Sequence, residues 1–396
     1  MADISKIENV TVVGAGVMGY GIAQVALMAG YNVTLVDVKE DILNESLTRI
    51  EGGLRKAQLK GKLGEGISIA NIMARCKKSV DLPSAVKESD FVFEAVVEQL
   101  DVKKQICNSV MENSPSHCIF ASNTSSFRIT DIAKDSNKPE NVIGMHFFLP
   151  VALQCCVEVM NGEKTNNEAL DIGVEIGKRL PCLKGKRLSV RIEKESPGFI
   201  ANRLLFPPII YLSWIFDLAF ERGIPWEQID ADAEARKLIP MGPCELTDYL
   251  GIDTTYNALK SYEKMISPDF SPGRVLTNLV KKGHLGRKTG RGFYDWKTGK
   301  PKINLDKKAG ILNPEMTMSI MLNEGCRLLE ENIVSGYKII DDVMLAGTSM
   351  PGPFGPGKRN YEKWSNMLKD FVEISGKKYL EPCELMKSGV FINMRK

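Results

Sequence analysis

Glu158 lies twelve residues after His146. Glu158 stands inside the apolar run Cys156-Val157-Glu158-Val159-Met160, where a carboxylate is costly to bury without a partner. A histidine is the natural one. The carboxylate fixes its tautomer and stabilises the imidazolium, and such a dyad makes a general base working near neutral pH. His146 ends a second apolar stretch, Val142-Ile143-Gly144-Met145. The other histidines have no such setting: His117 lies in a Ser/Pro-rich turn and His284 in a Gly/Lys-rich loop. Ser125 and Ser126 follow the apolar run Cys118-Ile119-Phe120-Ala121 without a Gly-x-Ser-x-Gly elbow around them. Hydrogen bonding to a substrate oxygen is therefore expected of Ser125, rather than nucleophilic attack. Cys155-Cys156 reads as two small buried strand residues rather than a redox couple.

The elements that must position these groups begin at the N-terminus. The β-branched run Val10–Val13 meets Gly14-Ala15-Gly16-Val17-Met18-Gly19, and an apolar helix follows from Val17 to Ala29, closed by Gly30. Strand, glycine turn and helix in this order predict a dinucleotide site: Gly14 for the tight turn, Gly16 for close approach to a pyrophosphate, Gly19 for helix–strand packing. The unpaired N–H groups of the helix N-terminus, at Val17 and Met18, face the phosphates. A second strand, Val33–Val36, ends at Asp37, which can accept hydrogen bonds from a ribose and would repel a 2′-phosphate. NAD is favoured over NADP. Further strands at 90–98, 118–121 and 142–145 alternate with helices, one of them about Lys39 to Lys62 and another about Val102 to Asn113. The fold class is α/β, a Rossmann-like, mainly parallel doubly wound domain. Gly14, Asp37, Glu98, Ser125 and His146 all fall at carboxyl ends of its strands, where such sheets bind ligands.

Past Pro197 the strand signal fades. A long apolar helix, about Ile200 to Arg222 and interrupted by Pro207-Pro208, precedes another from Trp226 to Leu238. A Lys/Gly-rich stretch, 297–313, reads as a linker, and helices resume at Pro314. The all-α part looks duplicated: Glu221-Arg222-Gly223, Ile229-Asp230 and Ile239-Pro240-Met241-Gly242-Pro243 are echoed by Glu330-Glu331-Asn332, Ile340-Asp341 and Met350-Pro351-Gly352-Pro353. Three domains are expected: 1–195 Rossmann-like, 196–298 helical, and 312–396 a second helical repeat.

A net charge of +3 gives no case for nucleic acid, and no apolar run reads as membrane-spanning. Nine cysteines without metal-ligand or disulfide spacing point to no metal and to a reducing, cytoplasmic location.

These motifs together resemble the NAD-dependent L-3-hydroxyacyl-CoA dehydrogenase family. The matching stretches are Gly14–Gly19, Ala121–Ser126, Gly144–Phe148, Val157–Val159, Ser196–Arg203, Pro240–Pro243 and Gly286–Tyr294, over roughly the first 296 residues. The tail resembles the second C-terminal repeat of multifunctional members, without a hydratase domain. The resemblance implies reversible hydride transfer between NAD and a 3-hydroxyacyl-CoA in fatty acid β-oxidation or short-chain acyl-CoA metabolism. His146 is then the base and Glu158 its partner. Ser125 and Asn202 contact the reacting end, Asp37, Glu98 and Lys103 the NAD, and Lys60 with Lys56 the CoA phosphates. Two positions depart from the family pattern: Leu149 stands where Asn is usual, and Gly53 where a CoA-contacting Ser is usual. A dehydrogenase of a free 3-hydroxy acid, or an NAD-binding module without turnover, are the competing readings. The duplicated helical part predicts an intramolecular pseudo-dimer and a monomer in solution, with a homodimer as the alternative.

Overall fold

The computed structural model describes residues 4–63, 66–192, 194–234 and 241–396. The chain divides into two compact units. The first is Met1–Ala201 with Asn332–Gly352 and Lys396, and the second is Asn202–Glu331 with Pro353–Arg395. Leu238, the expected end of one helix, and Ile239-Pro240 of the first repeat motif lie outside the described residues.

The first unit is built on one eight-stranded sheet. Its strands are β1 (Asn9–Val13), β2 (Asn32–Val36), β3 (Cys76–Ser79), β4 (Phe91–Glu94), β5 (Ile119–Ser122), β6 (Val142–Phe147), β7 (Cys156–Asn161) and β8 (Leu188–Ile192). Their order is β3-β2-β1-β4-β5-β6-β7-β8. The first six reproduce the 3-2-1-4-5-6 order of dinucleotide-binding sheets. They are parallel, β7 runs antiparallel to β6, and β8 is parallel to β7. The central strands β4, β5 and β6 are buried along their whole length, as continuous apolar runs require in a sheet covered on both faces. Helices Val17–Met28, Glu40–Leu59, Leu100–Asn113 and Asn167–Arg179 supply the cover. Gly19 is needed where the first helix crosses β1: a Cβ there would lie 1.7 Å from the Gly14 carbonyl oxygen.

The cysteine reading needs correction. Cys155 is in a disulfide with Cys182, their Cα atoms 5.5 Å apart across a sequence separation of 27. The topology, not the spacing, makes the pair. Cys155 immediately precedes β7 and Cys182 lies in the loop leading to β8, and these strands are neighbours. Beside the disulfide, Arg187 is buried, and its guanidinium donates to the carbonyls of Val151, Gln154, Leu180 and Pro181. Burial pushes Arg187 down to about 10, so it stays charged at neutral pH.

In the second unit, helix Pro207–Glu221 packs on Pro314–Glu330, which packs on Phe354–Ser375. Tyr211 and Trp214 both meet Phe371 edge-on. The expected interruption falls at Pro207, which opens a helix of its own, so the run is two helices, Ala201–Leu205 and Pro207–Glu221. By length and composition the run Ala201–Glu221 could cross a membrane, contrary to the sequence reading. Half of it is buried inside the protein, as for a core helix. The segment Gly286–Tyr294 folds onto helix Pro243–Leu250 through Asp248, which accepts from the N–H groups of Phe293 and Tyr294 and from the Trp296 indole.

Candidate active site

The glycine turn fits a dinucleotide. Gly14 has φ +95, and a Cβ there would sit 2.6 Å from the Ala95 carbonyl oxygen. Gly16 is the N-cap of helix Val17–Met28, offers no side-chain cap, and has nothing within 4 Å of where a Cβ would be. Open space thus faces the helix N-terminus, as a pyrophosphate requires. Asp37 stands just past β2 and accepts from the Ala15 N–H at 2.8 Å, which fixes its carboxylate beside the turn.

A second cluster occupies the ends of β4 and β5. Lys103 is 1 % exposed, and its ammonium lies 2.8 Å from Glu94 and 3.2 Å from Glu98. Glu94 also accepts from Ser122 Oγ and the Val96 N–H. Glu98 accepts from Thr124 Oγ1 and from the N–H groups of Ser125 and Ser126. Burial pushes the Glu98 carboxyl up, but Lys103 and these donors outweigh it and hold the group below its usual range. The turn carrying Ser125 is thereby moored to the loop carrying Glu98. Glu94, buried and unrecognised in the sequence, is the counter-ion that lets Lys103 sit there; a carboxylate ending an apolar strand three residues before Val97-Glu98 was its only signal.

His146 and Glu158 meet at the end of β6. Nδ1 of His146 is 2.6 Å from Oε2 of Glu158, with His146 7 % exposed and Glu158 fully buried. The other oxygen, Oε1, accepts from the N–H groups of Ile200 and Ala201 at 2.9 and 3.0 Å. Those donors are delivered by the turn Gly198-Phe199, both at positive φ. A phenylalanine in that region carries backbone strain, which the surroundings must hold. Phe199 packs on the His146 ring at 5.6 Å between centroids, and Phe148 packs on it at 4.8 Å. Asn123, not singled out by the sequence, accepts from the Phe147 N–H at 2.9 Å and ties the Ser125 turn to the strand that carries His146. Asn202 lies in helix Ala201–Leu205, at the start of the second unit.

A cavity of about 570 Å³ lies beside the glycine-turn helix. Lys56, Lys60 and Arg49 line it on one side, Leu149, Pro150 and Leu153 on the other. Leu149 is 52 % exposed. Gly53 also lines this cavity, and the Gln24 side chain fills the space beside it: a Cβ at 53 would come within 2.1 Å of Gln24 Oε1. His117 is on the surface, paired with Asp90.

A Rossmann sheet with this glycine turn, an aspartate beside it, and a buried His–Glu base at the same sheet edge defines an NAD-dependent dehydrogenase. Residues 9–187 match the NAD-binding domain of 3-hydroxyacyl-CoA dehydrogenase, and residues 198–296 match its C-terminal domain. The mitochondrial hydroxyacyl-coenzyme A dehydrogenase of Sus scrofa is 39 % identical over 300 residues, 74 % of this chain and 92 % of that protein. The chain belongs to the 3-hydroxyacyl-CoA dehydrogenase family, and it is an NAD-dependent enzyme of that family. The fatty acid oxidation complex subunit alpha of Psychrobacter cryohalolentis is 32 % identical over 378 residues, 90 % of this chain and 50 % of that one. The crystal structure of 3-hydroxybutyryl-CoA dehydrogenase from Escherichia coli K12 shares the fold over 98 % of this chain and 99 % of that one, with a TM-score of 0.83 at 24 % identity. The expected cytoplasmic location is corrected: the Sus scrofa relative and its human, rat and mouse counterparts are mitochondrial proteins. The cysteines do not support a reducing location either, since Cys155 and Cys182 are paired.

Proposed function

We propose that the enzyme oxidises L-3-hydroxyacyl-CoA to 3-ketoacyl-CoA, with His146 as the base. The observation that carries this is the 2.6 Å bond between His146 Nδ1 and buried Glu158. With Nδ1 committed, Nε2 takes the proton of the substrate 3-hydroxyl. Glu158 stabilises the resulting imidazolium, and its own charge is held by the Ile200 and Ala201 N–H groups. The chemistry that bound NAD would supply is acceptance of the C3 hydride. In reverse the protonated dyad donates to the 3-keto oxygen. Ser125 hydrogen-bonds that oxygen. Asp37 would hold a ribose of NAD, and Glu98, fixed by Lys103, and Ser125 would supply further contacts to the same cofactor. General-base assistance of this kind is worth roughly 10²–10⁴-fold, and alignment of donor and acceptor supplies much of the remainder.

Lys56 and Lys60 hold the CoA phosphates, and their place on the rim of the cavity supports this. A free 3-hydroxy acid would leave these cations without use. NADH oxidation with acetoacetyl-CoA beside free acetoacetate decides: turnover of the thioester alone is expected, and equal turnover of the free acid would overturn the CoA assignment.

The tail, 312–396, serves as a second helical repeat after a Rossmann-like domain (1–195) and a helical domain (196–298). Local geometry supports it. Gly223 and Asn332 end their helices at positive φ. A Cβ on Gly242 would strike Asp230, and one on Gly352 would strike Asp341. The tail also supplies Glu324 and Glu331 as partners of buried Arg203. Such a linked copy outcompetes a second chain for the same face. Light scattering should therefore give the mass of one chain; a dimer would refute the pseudo-dimer.

A further inference from the structure

Among the described residues the His146 side chain is held by one hydrogen bond, to Glu158, about which the ring can tilt. Two aromatic rings limit the tilt. Phe199 is fixed by its own constrained turn, but Phe148 lies just past the end of β6 and needs a support of its own. The support comes from far along the chain. Residues 332–352 return to the first unit, where helix Tyr337–Val343 packs on β8 and buries Tyr337, Ile340 and Val343. The helix then widens into a π-helical turn, Met344–Thr348. Such turns recur at functional sites. The Ala346 carbonyl accepts from the N–H of Cys155, on the far side of the β6–β7 connection. Ser349 Oγ donates to Gln154. So anchored, the turn presents Gly347 to the face of Phe148. A Cβ on Gly347 would lie 3.0 Å from both Cε2 and Cζ of that ring and 3.1 Å from Cδ2.

We propose that the π-helical turn is a buttress for the active site: Gly347 sets the position of Phe148, and Phe148 sets the tilt of the His146 imidazole. Gly347 and Phe148 are positioning residues. They act through His146, so the inference rests on the reading of His146 as the base. The bare glycine is the functional feature, because it lets the ring sit against the turn's backbone. A methyl group forces the ring to give by a few tenths of an ångström.

Gly347→Ala in the full-length enzyme tests this. Misplacement on the scale of 1 Å costs of order 10²-fold, so a smaller push should lower kcat about tenfold, with KM for acetoacetyl-CoA and the melting temperature near wild type. The imidazole is read directly by NMR. With three histidines in the chain, the His146 resonance is assigned by its loss in His146→Gln. It should shift in Gly347→Ala while those of His117 and His284 stay in place. In a Phe148→Leu background the alanine has room, and Gly347→Ala should lower kcat no further, the signature of coupled sites. That double variant also carries the test should alanine alone prevent folding. Gly355→Ala, whose Cβ meets nothing within 4 Å, is the control. An unmoved His146 resonance with wild-type kcat would overturn the proposal, as would additive losses in the Phe148→Leu background. The resonance is read without substrate, so failure of the acyl-CoA reading appears separately, as an inactive wild-type enzyme.

Discussion

His146 and Glu158 are direct cross-strand partners, one residue opposite the other where β6 and β7 pair antiparallel. The antiparallel turn-back is what brings a strand-end histidine and a mid-strand glutamate together. Both side chains project from one face of the sheet, and the register makes their bond independent of loop motion. Glu158→Gln should keep the fold and the contact. The amide would donate to Nδ1 and hold the ring in the wrong tautomer, so kcat should fall about 10²–10⁴-fold. Stopped-flow NADH oxidation checks this; a loss under threefold would mean that Glu158 is only a packing residue.

Asp37 enforces NAD. Asp37→Ala should raise KM for NAD and narrow the preference over NADP, because a repelling charge next to the 2′ position is gone. Steady-state kinetics with both nucleotides tests this. A wild-type enzyme that used NADP as well as NAD would show that Asp37 plays another part.

Lys60→Ala should raise KM for acyl-CoA with kcat little changed, the pattern of lost ground-state binding. The wild-type KM should also rise with salt, since exposed charge pairs are screened over about 10 Å at 0.1 M. A salt-independent KM that the substitution leaves alone would return this helix face to mere solvation.

Asp230 gives a pH signature to stability. Burial pushes its carboxyl up to about 6, against the Tyr294 hydroxyl and the N–H groups of Cys244 and Glu245. The folded chain thus binds this proton more tightly than the unfolded chain, whose Asp has a value near 3.9. The contribution is full below that value and is lost as pH rises through about 6. Asp230→Asn cannot titrate. The melting temperature of the wild type relative to this variant should fall between pH 4 and 7; a constant difference would mean that Asp230 stays ionised throughout.

Much of this was legible in the sequence because it is local or periodic. The strand–glycine–helix unit announces itself through residue types that only such a turn needs. Glu158 was visible because a carboxylate within an apolar run demands a partner. The edge strands were not legible. β3 is Cys-Lys-Lys-Ser and half exposed, and β8 carries Ser189 and Arg191 on a partly exposed strand. β3 has no buried face and so no alternation to read, whereas β8 does alternate, with Val190 and Ile192 buried, but is a single short run among loops. Nor could local pattern show the Cys155–Cys182 bond, the Arg187 anchor, or the return of residues 332–352 to the first unit. Each depends on which strands become neighbours.

The measurement that bears most directly on the account is the rate of NADH oxidation by acetoacetyl-CoA in four proteins: wild type, His146→Gln, Glu158→Gln and the double variant, with NADH affinity measured by fluorescence in each. The His–Glu pair acts as one base, so the double variant should lose little more than the worse single one, as groups that work as a unit do. NADH affinity should stay near wild type throughout. A double variant whose loss is the product of the two single losses, or a His146→Gln enzyme that keeps its turnover, would contradict it.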